Sequence, residues 1–458
     1  MVLRLQDIGR AVRQTEYAVR GPIVARAREL EREGREVIYC NIGNPHAFGQ
    51  KPLTWIRQVL ALSEYPELIQ RHADAFPPDA VETAKLVLRE SKFGLGAYTE
   101  SKGMGFVRRA VARFIEERDG ITADPEAIYL TDGASRAVQS ILRILISNER
   151  DGVMIPIPQY PLYSASITML GGQQVPYYLE EQTGWKLSRT MLEQSYSRAD
   201  GGVAIRAICV INPSNPTGAV LDETNIEMVI DFARQRGLSI LADEVYQENI
   251  YHPGTRFHSF AKVLERAKTK DVALFSLHSC SKGFLGECGH RGGYFECRNV
   301  LPEVSGEITK LQSVALCANT TGQIVTYLMV RPPRPGDPSY DVYTEERTGI
   351  LESLRRRAKI VAEELNAVPG ISCQDVAGAL YAFPQISLPT GWTDSEYCLK
   401  LLEETGICVV PGSGFGQAPG TLHFRTTILP PPDKLEHVVR RIADFHIRFT
   451  KCSGSRHG

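Results

Sequence analysis

The 458-residue chain carries 52 Lys and Arg against 53 Asp and Glu, so no basic field for nucleic acid and no anionic face for a cationic partner is built into it. Hydrophobic residues make up 43%, yet no apolar run approaches the roughly 20 residues of a membrane helix. What remains is an ordinary globular chain, long enough for two or three domains. The first residues, Met1-Val2-Leu3-Arg4-Leu5-Gln6-Asp7, lack an apolar signal core, and the ten cysteines are scattered as free thiols in a reducing compartment would be. Cytoplasm is the expected location. A mitochondrial leader built on Arg4, Arg10 and Arg13 is the alternative, diluted by Asp7 and Glu16, and the tail Ser455-Arg456-His457-Gly458 is not a usual peroxisomal tripeptide.

In chain order, a charged helix is expected over 24–34, then a short strand at Val37-Ile38-Tyr39-Cys40 and the turn Asn41-Ile42-Gly43-Asn44-Pro45. The glycine-rich stretch Gly94-Leu95-Gly96-Ala97-Tyr98 predicts a loop, and Phe106, Val107, Ala110, Val111 and Phe114 at helical spacing predict the helix after it. From about residue 127 short apolar runs alternate with helices. Strands are expected at Ala127-Ile128-Tyr129-Leu130, Val153-Met154-Ile155-Pro156, Ala207-Ile208-Cys209-Val210-Ile211, Leu238-Ser239-Ile240-Leu241-Ala242 and Val272-Ala273-Leu274-Phe275-Ser276-Leu277. Fully apolar strands between helices predict an α/β fold with a mostly parallel sheet covered on both faces, whose ligands gather at the carboxyl ends of the strands. After the proline-rich connection 331–338, a long charged helix over 344–366 leads into a mixed α+β region. Its short strands are expected at Leu380-Tyr381-Ala382-Phe383, Ile407-Cys408-Val409-Val410 and Leu422-His423-Phe424-Arg425, before a helix from Asp433.

The strand ends carry the chemistry-bearing residues. Gly133-Ala134-Ser135 lies between a strand and a helix, where free amides favour a phosphate, although Asp132 or Ser135 could simply cap the helix. Asn212-Pro213-Ser214-Asn215-Pro216-Thr217-Gly218 reads as a turn after a buried strand. Asp243 could cap a helix or pair with a cationic ring nitrogen. In Ser279-Cys280-Ser281-Lys282-Gly283, a lysine at the mouth of a sheet could form a Schiff base, and Arg291, nine residues on, could hold a phosphate. His278, Cys280, Cys288 and His290 match no common zinc spacing, and metal at these positions would compete with Lys282 for space. Arg425, a charge in an apolar strand, could grip a carboxylate in two places or sit in a structural salt bridge.

The order of these signals resembles the fold-type I, pyridoxal phosphate (PLP)-dependent aminotransferases of class I/II over essentially the whole chain. Longer runs narrow the resemblance to the alanine aminotransferases: Glu16-Tyr17-Ala18-Val19-Arg20-Gly21-Pro22, Gly286-Glu287-Cys288-Gly289-His290-Arg291-Gly292-Gly293-Tyr294, Leu380-Tyr381-Ala382-Phe383-Pro384-Gln385-Ile386 and 401–417. The resemblance implies an N-terminal arm with part of a small domain (1–50), a large PLP-binding domain (51–335) and a C-terminal small α+β domain (336–458). It implies that Lys282 is the Schiff-base lysine and proton shuttle, that Asp243 faces the pyridine nitrogen, that Asn215 and Tyr246 bond the ring 3-oxygen, and that Tyr160 stacks on the ring. Gly133, Ala134, Ser135, Ser279 and Arg291 would cradle the phosphate, Arg425 would bind the substrate carboxylate with Gly43 beside it, and Tyr98 would reach the phosphate of a neighbouring subunit in a homodimer.

The implied reaction is L-alanine plus 2-oxoglutarate giving pyruvate plus L-glutamate, by a ping-pong route on small amino acids and 2-oxo acids. A glutamate:glyoxylate or other small-amino-acid transaminase is the nearest alternative. A PLP lyase or synthase, and a non-catalytic PLP-fold binding protein, stand further off. Two departures from the family pattern, His290 in place of an aromatic tyrosine and Leu316-Cys317-Ala318-Asn319-Thr320-Thr321-Gly322-Gln323 in place of a proline-rich segment, bear on substrate preference.

Overall fold

Apolar runs without period-two alternation become the interior strands of one sheet. In the computed structural model, which describes residues 2–199 and 201–452, its seven strands are β1 (Ile128–Thr131), β2 (Asp151–Ile157), β3 (Gln173–Tyr178), β4 (Ala204–Ile211), β5 (Ser239–Asp243), β6 (Leu274–Ser279) and β7 (Gly293–Arg298). The tail 455–458 lies outside the described residues. Across the sheet the order is β1-β7-β6-β5-β4-β2-β3. Pairing from β6 through β5, β4 and β2 to β3 is parallel, while β7 runs antiparallel to both β1 and β6.

The strand period sorts each run onto two covered faces. Val153 and Ile155 of β2 join Val138, Ile141, Tyr163 and Ile167 of the helices Ala134–Leu145 and Leu162–Met169 on one side. Met154, between them, packs on the other side with Val229, Phe232 and Phe260 of the helices Glu223–Arg236 and Phe260–Arg266. Each fully buried side chain of this kind contributes about 1.5–3 kcal/mol. A sheet so covered is a rigid platform whose strand ends can hold side chains in register.

The edge strand β3 is absent from the reading of apolar runs for a physical reason. Only Val175 and Tyr177 turn inward, Gln173, Gln174 and Pro176 are exposed, and Pro176 is tolerated because no strand pairs beyond it. The expected strand at 37–40 shrinks to one bridge, Ile38 with Ile407, made by Ile38 N to Gly406 O and Cys408 N to Ile38 O, each 2.9 Å. Beyond it the chain bends into the turn closed by Asn44 N to Ile42 O.

A second core forms around the helices Tyr340–Asn366 and Pro432–Cys452. They cover short strands: β8 (Ile371–Ser372), β9 (Tyr381–Ala382), β10 (Gln385–Ile386), β11 (Val410–Pro411) and β12 (Phe424–Thr427), with β12 between β11 and β9. Cys40 belongs to this core, so the early segment packs with late residues. Asp243 thus ends a strand of the large sheet and Lys282 and Arg291 stand in the connection between β6 and β7, while Tyr381 and Arg425 come from the small sheet.

Candidate active site

The carboxyl ends of the large sheet and the edge of the small one enclose a cavity of about 400 Å³. At one end, Gly133 adopts a φ of 76° and leads into the helix Ala134–Leu145 with no side-chain cap. Its leading amides therefore remain open to an anion. Asp132 does not cap this helix: its carboxylate accepts from Asn319 N at 2.7 Å, and its carbonyl accepts from Arg291 Nη2 at 3.0 Å. A Cβ on Gly133 would lie 2.5 Å from that Nη2, so only glycine allows the approach. Arg291 itself stands in left-handed backbone (φ 52°) and donates from Nη1 to Cys288 O at 2.8 Å and Ser281 Oγ at 3.4 Å. Ser279 Oγ donates to Gly292 O at 3.0 Å and accepts from Ser281 N at 3.1 Å.

In the middle, Asp243 ends β5 and is followed by a turn rather than a helix, so it caps no helix, and its Oδ1 accepts from Val245 N at 3.4 Å. Tyr163 donates to its Oδ2 at 2.8 Å. Burial raises the proton affinity of this carboxyl, opposed by Tyr163, the Val245 N–H and the charge of Lys282. Lys282 Nζ donates to Gly43 O at 3.0 Å and lies 5.9 Å from the centre of the Tyr246 ring. Tyr160 also lines the cavity, its hydroxyl 2.7 Å from that of Tyr17.

At the far end Arg425 is 1% exposed. It lies between two rings, 4.0 Å from the centre of Tyr381 and 4.5 Å from that of Phe415. Nη1 donates to Asn215 Oδ1 at 3.0 Å, Nη2 donates to Asn41 O, and Nε has no hydrogen-bond partner among the described residues. No carboxylate among them pairs with it, which overturns the structural salt bridge considered from sequence. A buried guanidinium with spare donors is matched by an incoming carboxylate. The Tyr381 hydroxyl, though pushed up by burial, has its pKa lowered by the charges of Lys282 and Arg425 and by the hydrogen bond from Tyr246. Tyr246 moves the opposite way, raised by burial and by Tyr381. A Cβ on Gly43 would sit 2.1 Å from the Tyr381 hydroxyl and 3.4 Å from Lys282 Nζ.

Of the residues singled out from sequence, Gly43, Ala134, Ser135, Tyr160, Asn215, Asp243, Tyr246, Ser279, Lys282, Arg291 and Arg425 all line this cavity, and Gly133 abuts Arg291. Tyr98 does not line it, and it is 78% exposed. Sequence reasoning assigned no role to Tyr17, Tyr381 and Cys288, although all three lie in the motif runs, nor to Tyr163, three residues beyond Tyr160. The four side chains weighed for zinc make separate contacts. His278 stacks on Phe114, Cys280 donates to Gly292 O, Cys288 lines the cavity, and His290 Nδ1 lies 2.8 Å from Glu287 Oε2.

These residues fit PLP. The amino end of a helix and Arg291 would hold its phosphate, the buried Asp243 carboxylate would face its ring cation, and the Lys282 amine shares the cavity with Arg425, a guanidinium with no acid partner among the described residues. The family model for aminotransferase class I and II matches residues 59–442. Glutamate–glyoxylate aminotransferase 1 of Arabidopsis thaliana is 49% identical, covering 96% of this chain and 94% of that protein. An alanine aminotransferase 2-like protein of Danio rerio is 48% identical, covering 98% and 86%. The structure of an alanine aminotransferase from Pyrococcus furiosus superimposes with a TM-score of 0.80 at 27% identity, covering 96% of this chain and all of that one. On this match of sequence, fold and cavity, the chain belongs to the PLP-dependent class I and II aminotransferases.

Proposed function

We propose that the enzyme moves the amino group between L-alanine and 2-oxoglutarate, giving pyruvate and L-glutamate in two half-reactions. The observation that carries this reading is Arg425, a buried guanidinium with no acid partner among the described residues, in one cavity with the Lys282 amine. When bound, PLP supplies the electron sink that side chains lack. Lys282 would hold it covalently and, once released by the incoming amine, move the proton at the substrate Cα. Asp243, held by Tyr163, would keep the ring nitrogen protonated, because a buried carboxylate is best matched by a cation. Asn215 and Tyr246 would bond the ring 3-oxygen, and Tyr160 would cover the ring face. Gly133, Ala134, Ser135, Ser279 and Arg291 would hold the phosphate. Arg425 would grip the substrate carboxylate, and the bare Cα of Gly43 would leave room beside it.

The large domain of this reading spans 51–335; the arm 1–50 and residues 336–458 supply the substrate side. A homodimer is part of it. Phe93 and Tyr98, 84% and 78% exposed, are large rings suited to a second copy, and Tyr98 would reach that copy's phosphate site. A cytoplasmic location rests on ten free thiols, whereas relatives from Dictyostelium discoideum and Arabidopsis thaliana are named mitochondrial. No helix among the described residues is long and apolar enough to cross a membrane.

The second reading is a glutamate:glyoxylate enzyme, favoured by the 49% identity to the Arabidopsis protein of that name. Pyruvate and glyoxylate differ by a methyl, worth only about 1–3 kcal/mol in a pocket. Single-turnover absorbance changes on mixing with alanine, glutamate and glycine, followed by the return reaction with pyruvate, glyoxylate and 2-oxoglutarate, separate the two. Alanine and pyruvate should react fastest. Faster return with glyoxylate than with pyruvate would favour the second reading.

A further inference from the structure

His290 lies outside the cavity, yet its side chain is part of an ordered polar cluster directly behind it. Glu287 is 2% exposed. Its Oε2 accepts from Arg57 Nη2 at 3.0 Å and lies 2.8 Å from His290 Nδ1. Arg57 Nη1 lies 3.4 Å from His290 Nε2. A guanidinium only donates, so this last contact is a hydrogen bond when Nε2 accepts, which puts the ring proton on Nδ1, donated to Glu287. Both ring nitrogens of His290 and Oε2 of Glu287 are then matched, and the carboxylate charge is balanced by Arg57. Oε1 of Glu287 remains buried without a partner among the described residues, so the carboxylate depends on these two neighbours.

The cluster holds one short turn. Glu287 leads the 3-10 turn Cys288–His290, and His290 N donates back to Glu287 O at 3.2 Å. The carbonyl of Cys288, inside that turn, is the acceptor that orients Arg291 Nη1 at 2.8 Å. Arg57 belongs to a separate element, the helix Thr54–Glu64. A helix outside the loop thus fixes the turn, and the turn fixes the guanidinium.

We propose that Arg57, Glu287 and His290 are positioning residues that set Arg291 against the cofactor phosphate, with His290 as the bridge between the other two. This rests on the reading of Arg291 as the phosphate anchor. Loss of the cluster should weaken the grip on the phosphate and leave the rest of the cofactor contacts alone. His290→Gln keeps a donor and an acceptor and should preserve the bridge, whereas His290→Phe removes both.

The test compares the full-length protein, freed of cofactor, for binding of pyridoxal 5′-phosphate and of pyridoxal, which lacks the phosphate, by absorbance titration. Glu287→Gln and Arg57→Gln should lower affinity for the phosphate form about 10-fold, with pyridoxal unchanged within about 2-fold. His290→Phe should follow in the same direction, and His290→Gln should restore the phosphate form. Equal losses for both ligands, or no loss for either, would overturn the proposal. Arg57→Gln, an outlying substitution, keeps the test open if Glu287→Gln does not fold. Arg291→Gln distinguishes the two levels. If it leaves the preference for the phosphate form intact, the anchor reading and the proposal fall together; if it removes that preference while Glu287→Gln and Arg57→Gln do not, only the proposal falls.

Discussion

The cavity has an arginine at each end, and the two are built in opposite ways. Arg291 stands in a turn in left-handed backbone, its guanidinium tied to the carbonyls of Cys288 and Asp132. Arg425 lies on β12, closed between the rings of Tyr381 and Phe415, with Nε unbonded among the described residues. The first is pre-oriented by backbone next to open helix amides, which suits a multiply charged group that stays. The second is desolvated and has no acid partner among the described residues, which would make an arriving carboxylate strongly favourable and its loss costly. In the proposed function these two environments would supply residence for the cofactor and exchange for the substrate, the two needs of a transaminase.

Arg425→Gln should have the largest effect. It should cut kcat/KM for amino acids by about 10²- to 10³-fold while cofactor affinity stays within about 2-fold, read by steady-state kinetics and cofactor titration. Arg291→Gln should do the reverse, weakening cofactor binding about 10- to 10²-fold with kcat at saturating cofactor reduced far less. If both variants lose the same property, the two ends are not distinct. Gly43→Ala tests the space between them. The added Cβ would meet the Tyr381 hydroxyl at 2.1 Å, and turnover should fall about 10-fold with the protein still folded, measured by kcat and thermal melting.

The smallest effect on activity is expected at Glu244, next to Asp243 but bonded away from the cavity to Ser276 Oγ and Phe260 N. Burial pushes its carboxyl up to about 7, against the charge of Arg118 and these hydrogen bonds. The folded protein therefore holds this proton more tightly than the unfolded chain does. Stability from it is complete below the ordinary 4.5 and is lost as pH rises through about 7, a fall of roughly 3 kcal/mol. Denaturant titrations of the cofactor-free protein at pH 4.5 to 8 should show that fall, and Glu244→Gln should flatten it with activity little changed.

The sheet and the placement of Lys282 at its mouth were readable from the chain because fully buried strands write continuous apolar runs and their ends collect turn residues. The edge strand β3 was not, since a half-exposed run such as Gln173-Gln174-Val175-Pro176 carries too few apolar positions to stand out, nor was the antiparallel β7, a buried run whose apolar pattern is broken by Glu296, paired with Arg298. In the cavity, residues at strand ends were found by position, whereas Tyr17 and Tyr163 act through hydroxyls whose partners, Tyr160 and Asp243, depend on the tertiary fold. Arg425 shows the limit most plainly. From sequence a salt bridge stood beside substrate binding, and only the packing around it removes the acid partner. His290 likewise reads as a pocket substitution in the chain and as a partner of Glu287 and Arg57 in the fold.

In the proposed function, Lys282 carries the cofactor. Borohydride reduction of the purified enzyme, proteolysis and mass spectrometry of the labelled peptide test it directly. One pyridoxyl phosphate adduct per chain is expected on Lys282, lost together with turnover in Lys282→Ala. A major adduct on another lysine, or undiminished turnover by the alanine variant, would contradict it.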